Sequence, residues 1–239
     1  MEDSLCPDGP VDTAAAGSVT AAVLSRRSVR GFLDRPVDLD VLRRILTLTA
    51  RAPSGCNLQP WQFHVVTGRA LARLKALMRT RAAEAPHGEP TEYDILPNEM
   101  PAIYHERRFE VGFGLYDRLG IAREDKQGRA QWSAYNLQFF GAPVGLFCSI
   151  DRCMGPPQWA DMGMALQTLM LLLREAGLHS CPQEAWSLHS RTVGDFLGLA
   201  PELMLFCGMA IGHADPDAPA NSFVADRAPL QDYAVFLDD

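Results

Sequence analysis

Apolar positions along the chain divide it into helical and strand-like segments. Residues 38–49 place mostly apolar side chains at the spacing of one helix face, namely Leu39, Leu42, Ile45, Leu46 and Thr49. Asp38 is expected to cap that helix, and Ser18 to cap a shorter one that begins the segment 18–27. Composition and spacing predict further helices at 69–85, 105–119, 123–139 and 158–176.

Three runs have the pattern of strands. Residues 61–68 (WQFHVVTG) alternate, with Trp61, Phe63 and Val65 on one side. Residues 143–150 and 203–212 are apolar throughout, which is typical of buried strands. The sequence therefore predicts one α/β domain over 18–239, with helices on both sides of a small sheet.

Some segments depart from this regular pattern. The helix at 158–176 is apolar almost all round, so it is expected in a domain centre or at a subunit interface. Residues 86–101 contain four prolines and are predicted to form a long loop, as a substrate lid or a dimer strap. The acidic, small-residue segment 1–17 is predicted to be a disordered tail.

Composition and charge exclude several classes of function. The 239 residues are 47% hydrophobic and 21% charged, as in ordinary globular proteins, and the net charge of -7 disfavours nucleic-acid and anionic-membrane binding. No run of about 20 apolar residues predicts a membrane span, and the start lacks the features of a secretory signal. The six scattered cysteines fit reduced thiols, so a cytoplasmic location is expected.

The first candidate for chemistry is RRSVRGF, residues 26–32. Arg26, Arg27 and Arg30 present forked donors suited to phosphate, and Ser28 adds a hydroxyl. The alternative is a solvated basic helix end, where arginine is favourable beside the last carbonyls. Neither a GxGxxG nor a GxxxxGK[ST] motif is present to supply another phosphate site.

Three further stretches carry polar groups in unusual places. In APSGCNLQPWQF, residues 52–63, Asn57 and Gln59 either satisfy local backbone groups or contact a ligand. In LHSCPQEAW, residues 178–186, Pro182 is expected to stiffen a turn that presents Gln183 and Glu184. In ADRAP, residues 225–229, Arg227 lies in an irregular tail.

Together these four stretches, in this order, resemble the motifs of the FMN-dependent nitroreductase family, most closely its nitrobenzoate-reductase type. The resemblance runs from about residue 20 to 230. It implies an α+β fold in three α/β/α layers with a small mixed sheet. It also implies an intertwined homodimer that shares two FMN sites between its subunits.

The resemblance also implies roles for individual residues. Arg26, Ser28 and Arg227 would hold the FMN phosphate, and Arg30 would reach the pyrimidine edge of the flavin. Ala225 stands where the family often has a lysine, so more of the phosphate charge would fall to Arg227 and Arg27. The other implied cofactor contacts are Pro53, Ser54, Asn57 and Gln59 of the second subunit, and Pro182 with the backbone of Gln183 and Glu184 beside flavin N5.

The implied activity is hydride transfer from NADH or NADPH through the flavin to a nitroaromatic or quinone, with no catalytic side chain. One alternative keeps the fold but performs reductive dehalogenation or oxygen-dependent flavin cleavage. A second is a non-catalytic flavin-binding or sensor protein.

Other candidates remain beside this interpretation. Cys56 would need a positioned histidine to act as a nucleophile, and no cysteine or histidine spacing matches a metal site. Arg107 and Arg108, after the proline-rich loop, either start a solvated helix or bind an anionic aromatic substrate by bidentate pairing.

Overall fold

The computed structural model describes residues 9–237 and contains the predicted helices and strands in the predicted order. The elements are α1 (Val19–Ser25), α2 (Leu39–Thr49), β1 (Gln62–Thr67), α3 (Gly68–Glu84), α4 (Ala102–Arg118), α5 (Lys126–Asn136), β2 (Val144–Asp151), α6 (Pro156–Glu175), β3 (His179–Gln183), α7 (Ser190–Leu197) and β4 (Leu203–Gly212).

The first two helices begin where the sequence places their caps. The Ser18 hydroxyl accepts from the backbone N–H of Ala21 at 3.1 Å, and the Asp38 carboxylate accepts from that of Asp40 at 2.8 Å. Each such cap stabilises a helix by about 1 kcal/mol. α2 then buries Leu42 and Ile45, as its apolar spacing predicts.

The four strands form one sheet in the order β1-β2-β4-β3, and every pairing is antiparallel. The prediction of a mixed sheet was wrong in this respect. α6 carries the chain from β2 to β3 so that the two strands run in the same direction, but β4 lies between them and is antiparallel to both. Among residues 9–237 the one parallel pairing is an isolated bridge between Ser28 and Ser180.

Side chains from the sheet build an apolar core on each of its faces. Phe147 and Leu205 pack in one core with Leu74 of α3. Leu146 and Ile150 pack in the other, beneath α2 and α6. Because β2 alternates, its neighbouring residues serve opposite cores, which gives the expected α/β/α layers.

α6 is buried on one side only. Met162, Leu169 and Leu173 are inaccessible and face the sheet. On the opposite side Gly163, Met164 and Gln167 are exposed, Met164 at 39%. The single chain therefore leaves one face of this largely apolar helix in contact with solvent.

The region 178–186 is a strand followed by a 3₁₀ turn, Glu184–His189, where the sequence predicted a stiff turn. Pro182 suggested the turn, but β3 is an edge strand, and an edge tolerates a residue without a backbone donor. The following helix, α7, was not predicted either.

Part of the amino-terminal segment is packed against the domain. Val11 is only 4% exposed, and the backbone N–H of Ala16 donates to the carbonyl of Arg174 at 3.0 Å. This differs from the disorder expected for residues 1–17, of which 1–8 lie outside the described residues. Across the described range, none of the helices has the length and hydropathy to cross a membrane.

Candidate functional site

A pocket of about 330 Å³ lies at the end of the edge strand β3 and unites two of the motifs. Arg30 comes from the segment 26–32, and Pro182, Gln183 and Glu184 come from the segment 178–186. Its lining residues are Arg30, Ile95, Asn136, Phe140, Cys181, Pro182, Gln183, Glu184, Ala185 and Leu188.

Backbone pairing brings the arginine motif to this strand. The N–H of Val29 donates to the carbonyl of Ser180 at 3.1 Å, within the parallel bridge of Ser28 and Ser180. Burial raises the pKa of the Cys181 thiol, while Arg30, the Ser28 hydroxyl and Arg26 act in the opposite direction. Arg26, Ser28 and Arg30 therefore lie near the buried Cys181, which lines the pocket together with Arg30.

Arg26 and Arg227 place two positive charges together. The pKa of Arg26 is lowered, first by burial and then by repulsion from Arg227. Within residues 9–237 the Arg26 guanidinium makes no hydrogen bond or ion pair, and Arg227 donates only to the carbonyls of Ala225 and Asp226. Two guanidinium groups whose charges repel each other favour a nearby anion.

The Arg27 side chain points away from those of Arg26 and Ser28, its neighbours in the motif. Its Nη1 donates to the carbonyl of Gly9 at 2.9 Å, so its side chain reaches the amino-terminal segment. The expectation that Arg27 shares the phosphate charge receives no support from this position.

The Gln183 side chain faces the protein interior. Its Nε2 donates to the backbone oxygen of Asn136 at 2.6 Å and to the Asn136 carboxamide oxygen at 2.5 Å. Its Oε1 accepts from Nε1 of the fully buried Trp186 at 3.3 Å. The Gln183 carboxamide is thus already hydrogen-bonded through both its nitrogen and its oxygen, and the backbone contact with a cofactor stays a prediction.

Glu184 begins the 3₁₀ turn at the pocket. Glu184 is exposed when the whole residue is considered. Its carboxyl group is nevertheless partly desolvated by the surrounding protein, which raises the pKa of that group. Ala185 follows it and also lines the pocket.

The loop 53–59 is exposed and has an unusual backbone. Cys56, Asn57 and Gln59 have φ values of 50°, 57° and 50°, a left-handed conformation that costs most residues about 1–2 kcal/mol. The Ser54 hydroxyl accepts from the N–H of Gln59 at 3.0 Å, so part of the Ser54 polarity serves the loop itself. Among the described residues the Asn57 side chain has no hydrogen-bond partner.

This loop and the arginine motif lie at opposite ends of α6. The N–H of Gly55 donates to Asp161 Oδ2 at 3.1 Å, and Nε of Arg174 donates to the Ser25 hydroxyl at 3.1 Å. Asp161 and Arg174 are thirteen residues apart on α6, which is roughly 20 Å along the helix axis. Within one chain, Pro53, Ser54, Asn57 and Gln59 are therefore remote from Arg26 and Ser28.

The remaining candidates lie outside the pocket. Arg107 forms an ion pair with Asp232 at 3.7 Å, and Arg108 is exposed on α4. No hydrogen bond recorded for residues 9–237 involves the Cys56 thiol, so the structure supplies no base to activate it. In the same part of the chain, no cluster of three or more His, Cys, Asp or Glu side chains could hold a metal ion.

Comparison with known proteins decides the family. The sequence profile described as "Nitroreductase family" matches residues 23–213.

This chain belongs to the nitroreductase family. The resemblance seen in its motifs is confirmed, and so is the fold class, since solved nitroreductases share the same architecture.

Individual members of the nitroreductase family match along most of the chain. A 4-nitrobenzoate reductase of Pseudomonas putida is 38% identical over 217 residues, which are 91% of this chain and 94% of the relative. The crystal structure of an FMN and NADPH-dependent nitroreductase, NfnB, from Sphigopyxis sp. strain HMH has a TM-score of 0.90 and 49% identity. That match covers 93% of this chain and 100% of the other.

A second solved nitroreductase is similar at lower identity. The FMN-dependent NfnB from Mycobacterium smegmatis, in complex with NADPH, has a TM-score of 0.87 and 32% identity, covering 91% of this chain and 96% of that one.

Several residues of the nitroreductase pocket were not found from the sequence. Ile95, Asn136 and Phe140 come from loops and helix ends that carry no motif. Asn221 is 4% exposed and accepts from the N–H of Arg30 at 2.7 Å while donating to the carbonyl of Gly31 at 2.8 Å. Only its position in the tail segment that precedes Arg227 could have suggested a role.

Proposed function

We propose that this chain binds FMN in the pocket beside β3 and catalyses reduction of a nitroaromatic or quinone with NADPH or NADH. Flavin-dependent oxidoreduction is the general reaction of the family members it resembles. The Sphigopyxis nitroreductase, at 49% identity, is named FMN and NADPH-dependent, which makes NADPH the first donor to test.

The observation that carries the proposal is the juxtaposition of Arg26 and Arg227. A flavin mononucleotide brings a phosphate dianion, and two guanidinium groups that otherwise repel each other suit it. Ser28 lies beside Arg26 and offers a hydroxyl donor. These three residues would hold the phosphate, as the family resemblance implies.

The rest of the pocket suits the flavin ring. β3 is an edge strand whose outer side is paired only by the bridge between Ser180 and Ser28, so the rest of that side can bond to a ligand instead of to another strand. Pro182, Gln183 and Glu184 would contact the ring there, with the Gln183 side chain fixed inward. Phe140 and Leu188 supply apolar surface.

Bound FMN would supply the hydride chemistry, accepting two electrons from NADPH or NADH and passing them to the acceptor. Arg30 borders the pocket and would stabilise the negative charge that a flavin gains on reduction. A hydrogen bond to a charged group contributes about 1.5–3 kcal/mol, or roughly 30–65 mV for a two-electron couple. Arg30 thus tunes the potential and transfers nothing itself.

The same proposal includes a homodimer with shared sites. The loop with Asn57 lies roughly 20 Å from the arginine motif of its own chain, as counted along α6. The two can contact one FMN only if they come from different copies, so Ser54 and Asn57 of the partner subunit would complete each site. The exposed face of α6, with Gly163 and Met164, is a surface that the second copy would cover.

Reductive dehalogenation, flavin cleavage and flavin sensing are less well supported. Three relatives that are 33–38% identical over 91% of this chain are named as reductases of nitrobenzoate, nitrobenzene and chloronitrobenzene. Reduction of a small aromatic acceptor is therefore the best-supported function.

The test is a visible spectrum of the purified protein, followed by anaerobic titration with NADPH and NADH. A nitroreductase shows a flavin band that NADPH or NADH bleaches and that 4-nitrobenzoate restores rapidly. A sensor shows neither change, and a flavin-cleaving enzyme responds to oxygen instead. A colourless protein that FMN does not colour would exclude the proposal as a whole.

A further inference from the structure

Arg174, near the end of α6, is a buried cation bound almost entirely by neutral oxygens. It is 1% exposed, and its four hydrogen bonds go to the Ser25 hydroxyl at 3.1 Å and to the carbonyls of Leu178, Asp12 and Ala14 at 3.2, 3.1 and 2.6 Å. Within residues 9–237 it forms no ion pair, and the nearby charge of Asp12 acts on it without direct contact.

These acceptors belong to three separate segments. Ser25 is the last residue of α1, Leu178 directly precedes β3, and the third segment is 12–14. Arg26 follows Ser25 at once, and Ser28 pairs with Ser180 of β3. One guanidinium therefore links both supports of the proposed phosphate site.

We propose that Arg174 is a positioning residue for the cofactor phosphate: by joining the end of α1 to the start of β3, it sets the placement of Arg26 and Ser28. This inference rests on the proposed function. Arg174 itself is enclosed by its acceptors and does not reach the phosphate.

Two physical features support this role. The fork of five guanidinium donors can bridge several carbonyls in a fixed geometry, which a single ammonium cannot reproduce. Burial lowers the pKa of Arg174, yet a guanidinium stays protonated in proteins, so its charge also adds to the positive potential around Arg26 and Arg227.

The experiment compares FMN with riboflavin, which has the same ring but no phosphate. Dissociation constants are measured by quenching of flavin fluorescence for the apoprotein and for Arg174→Gln, Arg174→Lys and Ser25→Ala. Arg152→Gln is the control, because Arg152 also donates to two carbonyls, those of Pro201 and Leu203, but lies on the turn after β2. Arg152 differs from Arg174 in that it also forms an ion pair, with Glu92.

Arg174→Gln is expected to weaken FMN binding about tenfold while riboflavin binding changes less than twofold. The FMN preference is the ratio of the riboflavin dissociation constant to the FMN dissociation constant. Arg174→Lys should lose a smaller part of this preference, and Arg152→Gln should lose none of it. A folded Arg174→Gln with an unchanged ratio of the two dissociation constants would overturn the inference.

If Arg174→Gln does not fold, Ser25→Ala decides, since it removes the hydroxyl that links Arg174 to α1 and, besides that, one hydrogen bond within α1, to the carbonyl of Ala21. A loss of FMN preference of about threefold supports the inference, and an unchanged preference rejects it. If the unaltered protein binds riboflavin as tightly as FMN, the proposed phosphate site itself is wrong, which is a separate result.

Discussion

The buried Oδ2 of Asp161 accepts a hydrogen bond from the backbone N–H of Gly55 at 3.1 Å, which ties the loop 53–59 to the start of α6. Asp161→Ala leaves that N–H without its partner, and we expect a loss of about 1–3 kcal/mol in the free energy of unfolding. Because the displaced loop carries Ser54 and Asn57, FMN affinity should fall as well. Urea unfolding and flavin fluorescence titration measure the two effects.

Asp125→Ala is the control for that substitution. It removes a carboxylate that caps α5 by accepting from the N–H of Gly128 at 2.8 Å, remote from the loop. It should cost about 1 kcal/mol of stability and leave FMN affinity unchanged. Equal FMN affinities in Asp161→Ala and Asp125→Ala would mean that the loop does not contact the cofactor.

Two substitutions of Asn57 distinguish the effect of its side chain on FMN binding from the effect of its backbone conformation, because its φ of 57° is left-handed. Asn57→Gly keeps that conformation without strain and removes only the carboxamide, whereas Asn57→Ala removes the carboxamide and adds about 1 kcal/mol of strain. If the carboxamide binds FMN in the partner subunit, both variants should weaken FMN binding by a similar factor, about tenfold.

If the protein is the proposed homodimer, it should remain a dimer in both Asn57 variants, as measured by sedimentation. If Asn57→Gly binds FMN normally and only Asn57→Ala is impaired, Asn57 serves the loop backbone alone. That outcome would support the capping interpretation of the sequence.

Local patterns accounted for most of the fold. The apolar run at 203–212 coincides with β4, and Asp38 begins α2 as expected, because burial and capping leave a short-range signature. β3 was missed because Pro182 suggests a turn, and only the order of the strands shows that it lies at an edge. The mixed sheet was wrong for a related reason, since strand order depends on long-range packing.

The site was predictable to a smaller extent. Arginine-rich and carboxamide-rich motifs identified Arg26, Ser28, Arg30 and Gln183, but not their neighbours. Asn136 contacts Gln183, which is 47 positions away in the sequence, and Asn221 contacts Arg30, which is 191 positions away. No spacing rule predicts such contacts. The direction of the Arg27 side chain depends likewise on the packed segment at Gly9.

Gln183 should be required for both stability and ring binding. Gln183→Leu leaves the Asn136 oxygens and the Trp186 indole N–H without partners in a buried region, so we expect a loss of about 2–4 kcal/mol. Riboflavin and FMN affinity should fall together, because Asn136 lines the pocket. Denaturant unfolding and titration with both flavins provide the measurements.

Gln138→Leu is the matched control for Gln183→Leu. Gln138 likewise donates to two oxygens, the backbone carbonyls of Lys75 and Leu137, and its Oε1 accepts from Arg79, but it does not line the pocket. It should lose stability without losing flavin affinity. A similar loss of affinity in both variants would show that general destabilisation explains the result.

Substitution of Arg108 tests whether this residue binds the negative charge of an anionic substrate. Arg107 has an acidic partner in Asp232, whereas Arg108 makes no ion pair within residues 9–237. If Arg108 pairs with a carboxylated substrate, Arg108→Ala should raise KM for 4-nitrobenzoate about tenfold and leave KM for nitrobenzene unchanged. Steady-state kinetics with both acceptors measure this, and equal changes for the two would reject the role.

His179 predicts a dependence of stability on pH. Burial and then the charge of Arg174 lower its pKa to about 4 from the ordinary 6.5, against weaker opposing effects of Asp12 and with a small contribution from His213. Its Nε2 lies 2.8 Å from the carbonyl of Asp12, so the neutral ring carries its proton there, and Nδ1 is buried without a partner. Protonation would therefore place a second cation beside Arg174.

The neutral ring stabilises the fold fully above pH 6.5, where neither state binds the proton. As pH falls from 6.5 towards 4, the unfolded chain takes up a proton that the folded chain does not, so the free energy of unfolding decreases, by roughly 3 kcal/mol from this group. Between pH 6.5 and 4, the His179→Gln variant should therefore take up about one proton fewer on unfolding than the unaltered protein does. Urea unfolding at intervals between pH 4 and 7 gives the slope of the unfolding free energy against pH for the unaltered protein and for His179→Gln. Identical slopes would assign the pH dependence to the other histidines whose pKa burial lowers, which are His64, His189 and His213.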